Sequence, residues 1–65
     1  MTDRHAICER MVLCVLGDSA LTLAQIAQVL DTMFARETVR SAIRALEQDG
    51  SLVRIRASPN RWRRA

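Results

Sequence analysis

LTLAQIAQVL at residues 21–30 and ETVRSAIRALEQDGSLVR at residues 37–54 are the two segments that decide the fold. In the first, Thr22 suits an N-cap, and Gln25 three residues later completes a capping box. Leu21 before the cap and Ile26 after it can form a hydrophobic staple. Leu23, Ile26, Ala27 and Leu30 then fall on one face at helical spacing, which predicts a short helix over about 23–30. The turn that follows, about Asp31 to Ala35, contains Met33 and Phe34, and an aromatic in so short a turn is expected to tuck between helices. The second segment predicts a helix over about 36–49, with Val39, Ala42, Ile43 and Leu46 facing inward and Gly50 ending it.

Outward from this pair, a first helix is expected over about 3–16, capped by Thr2 or Asp3 and stopped by a left-handed Gly17. Ile7, Cys8, Met11, Cys14 and Val15 are read as its core face. Leu13 points away from that face, and with Leu16 it suggests either ordinary exposed apolar surface or a dimer contact. Beyond Gly50 the pattern alternates, and Ser58-Pro59-Asn60 is a turn signal, so a hairpin is expected over about 52–64. A four-residue loop, Ala57 to Asn60, would pair Arg56 with Arg61, Ile55 with Trp62 and Arg54 with Arg63. Ile55 and Trp62 would then close over the core, and Arg54, Arg56, Arg61 and Arg63 would share the opposite face. Like charges directly opposed across a hairpin are destabilising, so such a face is best tolerated against an anion. The alternative is a solvated basic edge that blocks strand addition. The fold class expected is therefore mainly α with a small β-hairpin, as one domain over 1–65.

Charge divides the 65 residues unevenly. Residues 1–35 carry two Arg against four acids, a net −2, and residues 36–65 carry eight Arg against three acids, a net +5. A basic half on a small domain is the electrostatic footprint of a polyanionic partner. All ten basic residues are Arg, which suits bidentate contacts to phosphate and guanine and equally a GC-rich coding genome. Cys8 and Cys14 lie six residues apart on one helix, too far for a disulfide, and are read as small buried hydrophobes. No cysteine or histidine set completes a metal site, and His5, the sole histidine, is read as a solvated side chain. The longest apolar run, Met11 to Leu16, is too short to span a bilayer, and charges at residues 3, 4, 9 and 10 interrupt any signal-peptide core. A cytoplasmic, nucleoid-associated location is expected, without a membrane, cofactor or small-molecule ligand.

The two quoted segments with the Trp62 hairpin resemble the winged helix-turn-helix superfamily of bacterial regulators over residues 21–64. ETVRSAIRALEQDGSLVR is similar to the recognition helix of GntR-type and MarR-type regulators, with Thr-Val-Arg near its start and Leu-Glu-x-x-Gly running into a strand. The hairpin is similar to the wing. Two features depart from the pattern: the turn before Thr38 is about two residues longer than in GntR-type domains, and Ala35 stands where a capping Ser is usual.

The resemblance implies double-stranded DNA as partner, with the third helix in the major groove. Arg36, Glu37, Thr38, Arg40, Ser41 and Arg44 would then face the DNA, and Arg54, Arg56, Arg61 and Arg63 would contact it from the wing. The spacing agrees: Arg36, Arg40 and Arg44 are four apart and share one helix face. Arg can bridge guanine O6 and N7, and Glu37 can accept from cytosine N4 or instead pair with Arg40. Thr22 and Thr38 are candidates for phosphate contacts. The function expected is a small transcriptional regulator, a repressor by operator occupancy, with a homodimer through the first helix. The alternatives are an architectural protein of the excisionase kind and a winged-helix protein-interaction module. Small stand-alone domains of this type suggest a phage or mobile element. An enzyme is not expected, because the sequence offers no nucleophile with a base, no buried carboxylate pair and no glycine-rich phosphate loop.

Overall fold

A computed structural model describes residues 3–65. Three helices, α1 (Arg4–Leu16), α2 (Leu23–Val29) and α3 (Arg36–Gln48), pack with a sheet of β1 (Leu21–Thr22), β2 (Leu52–Ile55) and β3 (Arg61–Arg64). The sheet is antiparallel, in the order β1-β3-β2. This is a mainly-α fold with a small hairpin, as the periodicities predict.

Local chemistry fixes the helix ends. Asp3 caps α1 by accepting from the His5 amide at 3.0 Å, and Gly17 ends it at a φ of 52°. The other proposed cap, Thr2, lies outside the described residues. Thr22 caps α2 through a complete capping box: its Oγ1 accepts from the Gln25 amide at 3.1 Å, and its own amide donates to Gln25 Oε1 at 2.9 Å. Ala35 before α3 makes no side-chain cap, and Gly50 at a φ of 87° closes that helix. Thr22→Ala is expected to cost about 1 kcal/mol, because the Gln25 amide loses its acceptor. In a domain of this size that lowers the thermal midpoint by roughly 4–8 °C, readable by circular dichroism.

The core is Cys8, Val12 and Leu16 of α1, Ile26, Ala27 and Leu30 around α2, Phe34 of the turn, Val39, Ala42, Ile43 and Leu46 of α3, and Leu52 of β2. The inward face expected for α3 is the one observed, and Phe34 is 5% exposed between the helices, as expected. Met33 beside it is exposed.

The face of α1 differs from expectation. Its buried row is Cys8, Val12 and Leu16, with Met11, Leu13 and Val15 half-buried against the core. Ile7 and Cys14, read as inward, are exposed. Six consecutive apolar residues, Met11 to Leu16, cover the whole helix circumference, so periodicity could not select a stripe. Of the two residues on which a dimer contact was expected, Leu16 is buried at 1% exposure, and Leu13 is half-buried against the core. Cys8 is buried, and loss of hydration, then the Glu9 charge, raises its thiol above the ordinary range.

The hairpin register also differs, by one residue. Ile55 pairs with Arg61, Arg54 with Trp62, Val53 with Arg63 and Leu52 with Arg64, so five residues, Arg56 to Asn60, form the loop. Asn60 Oδ1 closes that loop by accepting from the Ala57 amide at 3.0 Å. A one-residue slip turns the side chains of one strand to the opposite face relative to its partner. Leu52 and Trp62 therefore share the core side with Arg54 and Arg64, while Val53, Ile55, Arg61 and Arg63 share the outer side. The four-arginine face of Arg54, Arg56, Arg61 and Arg63 does not exist. The observed register buries Leu52 to 3%, whereas the expected one would have turned Leu52 outward beside arginines. Sequence reading also missed β1, whose Leu21 pairs with Trp62 and whose Thr22 pairs with Arg61 immediately before the α2 cap.

Candidate functional site

The exposed side of α3 follows directly from its buried side. Val39, Ala42, Ile43 and Leu46 turn inward, so Arg36, Arg40 and Arg44, one turn apart, stand in solvent with Glu37 and Ser41 beside them. Arg40 lies 3.6 Å from Glu37, and Glu37 is 82% exposed, so this is a weak surface pair whose members remain available to other partners. Glu37, Arg40, Ser41 and Arg44 line a shallow hollow on this face. Thr38 is half-buried, and its carbonyl lies 3.9 Å from the Cys8 thiol at the α1 contact.

Arg54 joins this face from the hairpin. Its guanidinium lies 5.6 Å from the Trp62 ring centre and donates to Glu47 Oε1 of α3 at 2.9 Å. Trp62 Nε1 donates to the same oxygen at 3.3 Å. Between α3 and the hairpin is an open cleft of about 280 Å³, lined by Arg40, Arg44, Glu47, Arg54, Asn60 and Trp62 among others. The structure thus brings Arg40, Arg44 and Arg54 together. Arg56 is exposed in the hairpin loop, and Arg61 and Arg63 lie on the outer sheet face between Val53 and Ile55. Thr22 is 8% exposed, its hydroxyl oxygen accepting from the Gln25 amide and its own amide donating to Gln25 Oε1 in the α2 cap.

Sequence reading missed two participants. Glu47 lies three residues beyond Arg44 on the same helix, a spacing that places the two side by side. His5, expected to be solvated, bridges α1 to α3: its Nδ1 lies 2.8 Å from Glu9 Oε2, and its Nε2 lies 3.3 Å from Ser41 Oγ. A long-range contact of this kind leaves no periodic signal. Ser41, His5 and Glu9 have the order of a nucleophile, a base and an orienting acid. Acyl transfer also needs amide donors aimed at the developing oxyanion. Ser41 sits in mid-helix, where backbone amides are consumed by the helix itself. The network accordingly reads as a polar clasp between α1 and α3.

Among the described residues, no group of three or more His, Cys, Asp or Glu side chains is placed to hold a metal ion, and no helix is long and apolar enough to cross a membrane. No family model matches the chain, nor does any curated protein or solved structure.

Proposed function

We propose that this protein is a winged helix-turn-helix domain that binds duplex DNA and acts as a small transcriptional regulator by occupying its operator. The observation that carries this reading is the arginine row Arg36–Arg40–Arg44 on the solvent side of α3, extended by Arg54 from the hairpin. The arrangement of helices supports it. α2 and α3 are joined by a short turn, α1 backs them, and a hairpin follows α3, which is the frame in which a third helix enters a major groove. An exposed guanidinium row at one-turn spacing can meet both base edges and flanking phosphates.

In this reading Arg40 bridges guanine O6 and N7, Glu37 leaves its weak pair to accept from cytosine, and Arg36, Ser41 and Arg44 contact the groove or its walls. Arg54 and Arg56 approach the adjoining backbone from the hairpin. The test is an electrophoretic shift on random-sequence duplex at two salt concentrations. Binding that weakens steeply with salt supports the reading, because phosphate neutralisation releases counterions. Absence of binding at low salt would turn the same basic face towards an acidic protein partner. Arg40→Ala is expected to lower discrimination by about 1–3 kcal/mol while leaving weak non-specific binding. An unchanged ratio of specific to non-specific affinity would remove Arg40 from base reading.

A further inference from the structure

We propose that the cleft between α3 and the β2–β3 hairpin is a phosphate site that the Glu47 carboxylate fills in the free protein, and that a DNA backbone phosphate displaces it. This rests on the DNA-binding reading above and adds to it a built-in competitor for the nucleic acid.

The geometry carries the argument. One oxygen, Glu47 Oε1, accepts from two donors that converge on it, Arg54 Nη2 at 2.9 Å and Trp62 Nε1 at 3.3 Å. Arg40 and Arg44 line the same cleft, and the carboxylate is the sole acid in its lining. A phosphodiester oxygen has the same charge and the same acceptor chemistry as a carboxylate oxygen, so the two donors suit it equally. Glu47 is tethered at 29% exposure and Arg54 at 42%, which leaves the pair within reach of solvent and of an incoming anion. Both side chains must be separated before Arg54 can neutralise a phosphate. An exposed pair of this kind is weak enough to yield.

The alternative is that Glu47 is simply a brace holding the hairpin against α3, in which case removing its charge should weaken binding. The two ideas predict opposite signs. Glu47→Gln keeps the shape and an acceptor oxygen but removes the competing charge. It is expected to tighten binding about two- to fivefold on every duplex, the size of an exposed ion pair. It should also steepen the salt dependence, because Arg54 is released to the backbone. The gain should vanish in an Arg54→Ala background, where Glu47 has lost its main partner. Trp62 is the only tryptophan in the chain, and its indole nitrogen sits at the site. Duplex added to the unaltered protein should therefore shift its fluorescence as the carboxylate leaves.

The measurements are duplex titrations of the unaltered protein, Glu47→Gln, Arg54→Ala and the double variant, with circular dichroism to establish folding. Glu47→Gln that is folded and binds duplex no more tightly than the unaltered protein overturns the proposal but leaves the DNA reading standing. A gain that persists without Arg54 overturns it as well. Should Glu47→Gln not fold, the unaltered protein decides: a Trp62 spectrum unmoved at saturating duplex is a negative result. If the unaltered protein binds no duplex at low salt, both readings fall together.

Discussion

Phe34→Ala is expected to remove a large fraction of this domain's folding stability and to lower its thermal midpoint by more than roughly 10 °C, at about 4–8 °C per kcal/mol. The ring is 5% exposed in the turn between α2 and α3, and the turn is wound around it. The amides of Met33 and Phe34 both donate to the Leu30 carbonyl, at 3.0 and 2.9 Å. The Arg4 guanidinium lies 4.9 Å from the ring centre, and its Nη2 donates to the Met33 carbonyl. The ring therefore closes the core and ties the start of α1 to the turn. Truncating a buried Phe typically costs about 3–5 kcal/mol through lost transfer energy and the cavity left behind. Total stability for a domain of this length is of order 3–10 kcal/mol at the usual value per residue. The loss is thus a large fraction of the whole. Phe34→Leu, which keeps most of the volume, should remain folded with a lowered urea midpoint. If Phe34→Ala melts within a few degrees of the unaltered chain, the turn is not the keystone described here.

Phe34 was legible because a large apolar side chain in a short turn has nowhere else to go. The α2 cap was legible for a similar reason: Thr22 and Gln25 are a local pair whose chemistry does not depend on the rest of the chain. So was the face of α3, where charged residues interrupt the apolar ones at every turn and leave one stripe. The face of α1 was not, since apolar residues encircle that helix. Only packing against α3, α2 and β3 decides that Cys8, Val12 and Leu16 are the buried row.

The hairpin shows how a small local error propagates. Reading the loop as four residues instead of five moved every β2 side chain to the wrong face and left those of β3 where they belong. Both registers bury Trp62, so the tryptophan could not arbitrate. The discriminating residue was Leu52, which is 3% exposed in the observed register. The basic character of the site was evident from the arginine positions alone. Its acidic centre was not, because Glu47 gains its meaning from Arg54 and Trp62, which reach it across the hairpin.

That register changes which arginines should matter most. Arg40, Arg44 and Arg54 line one cleft, whereas Arg61 and Arg63 lie on the outer face of the sheet, interleaved with Val53 and Ile55. Replacing Arg40, Arg44 and Arg54 together with alanine is expected to abolish operator preference and to weaken binding to every duplex. If each meets one phosphate or groove edge, the slope of log affinity against log salt should become shallower by about 2.7. Raising salt from 50 to 200 mM would then cost the variant tens-fold less affinity than it costs the unaltered protein, on the order expected from three lost contacts. Replacing Arg61 and Arg63 removes two charges instead of three, and should alter the slope by less than the triple variant does per arginine. Charge alone cannot produce that difference, because long-range attraction depends on net charge and not on which sheet face carries it. Equal effects per arginine would mean that the protein attracts DNA only as a diffuse cation. A larger effect from Arg61 and Arg63 would place the nucleic acid on the outer sheet face and remove the α3 cleft from the interface.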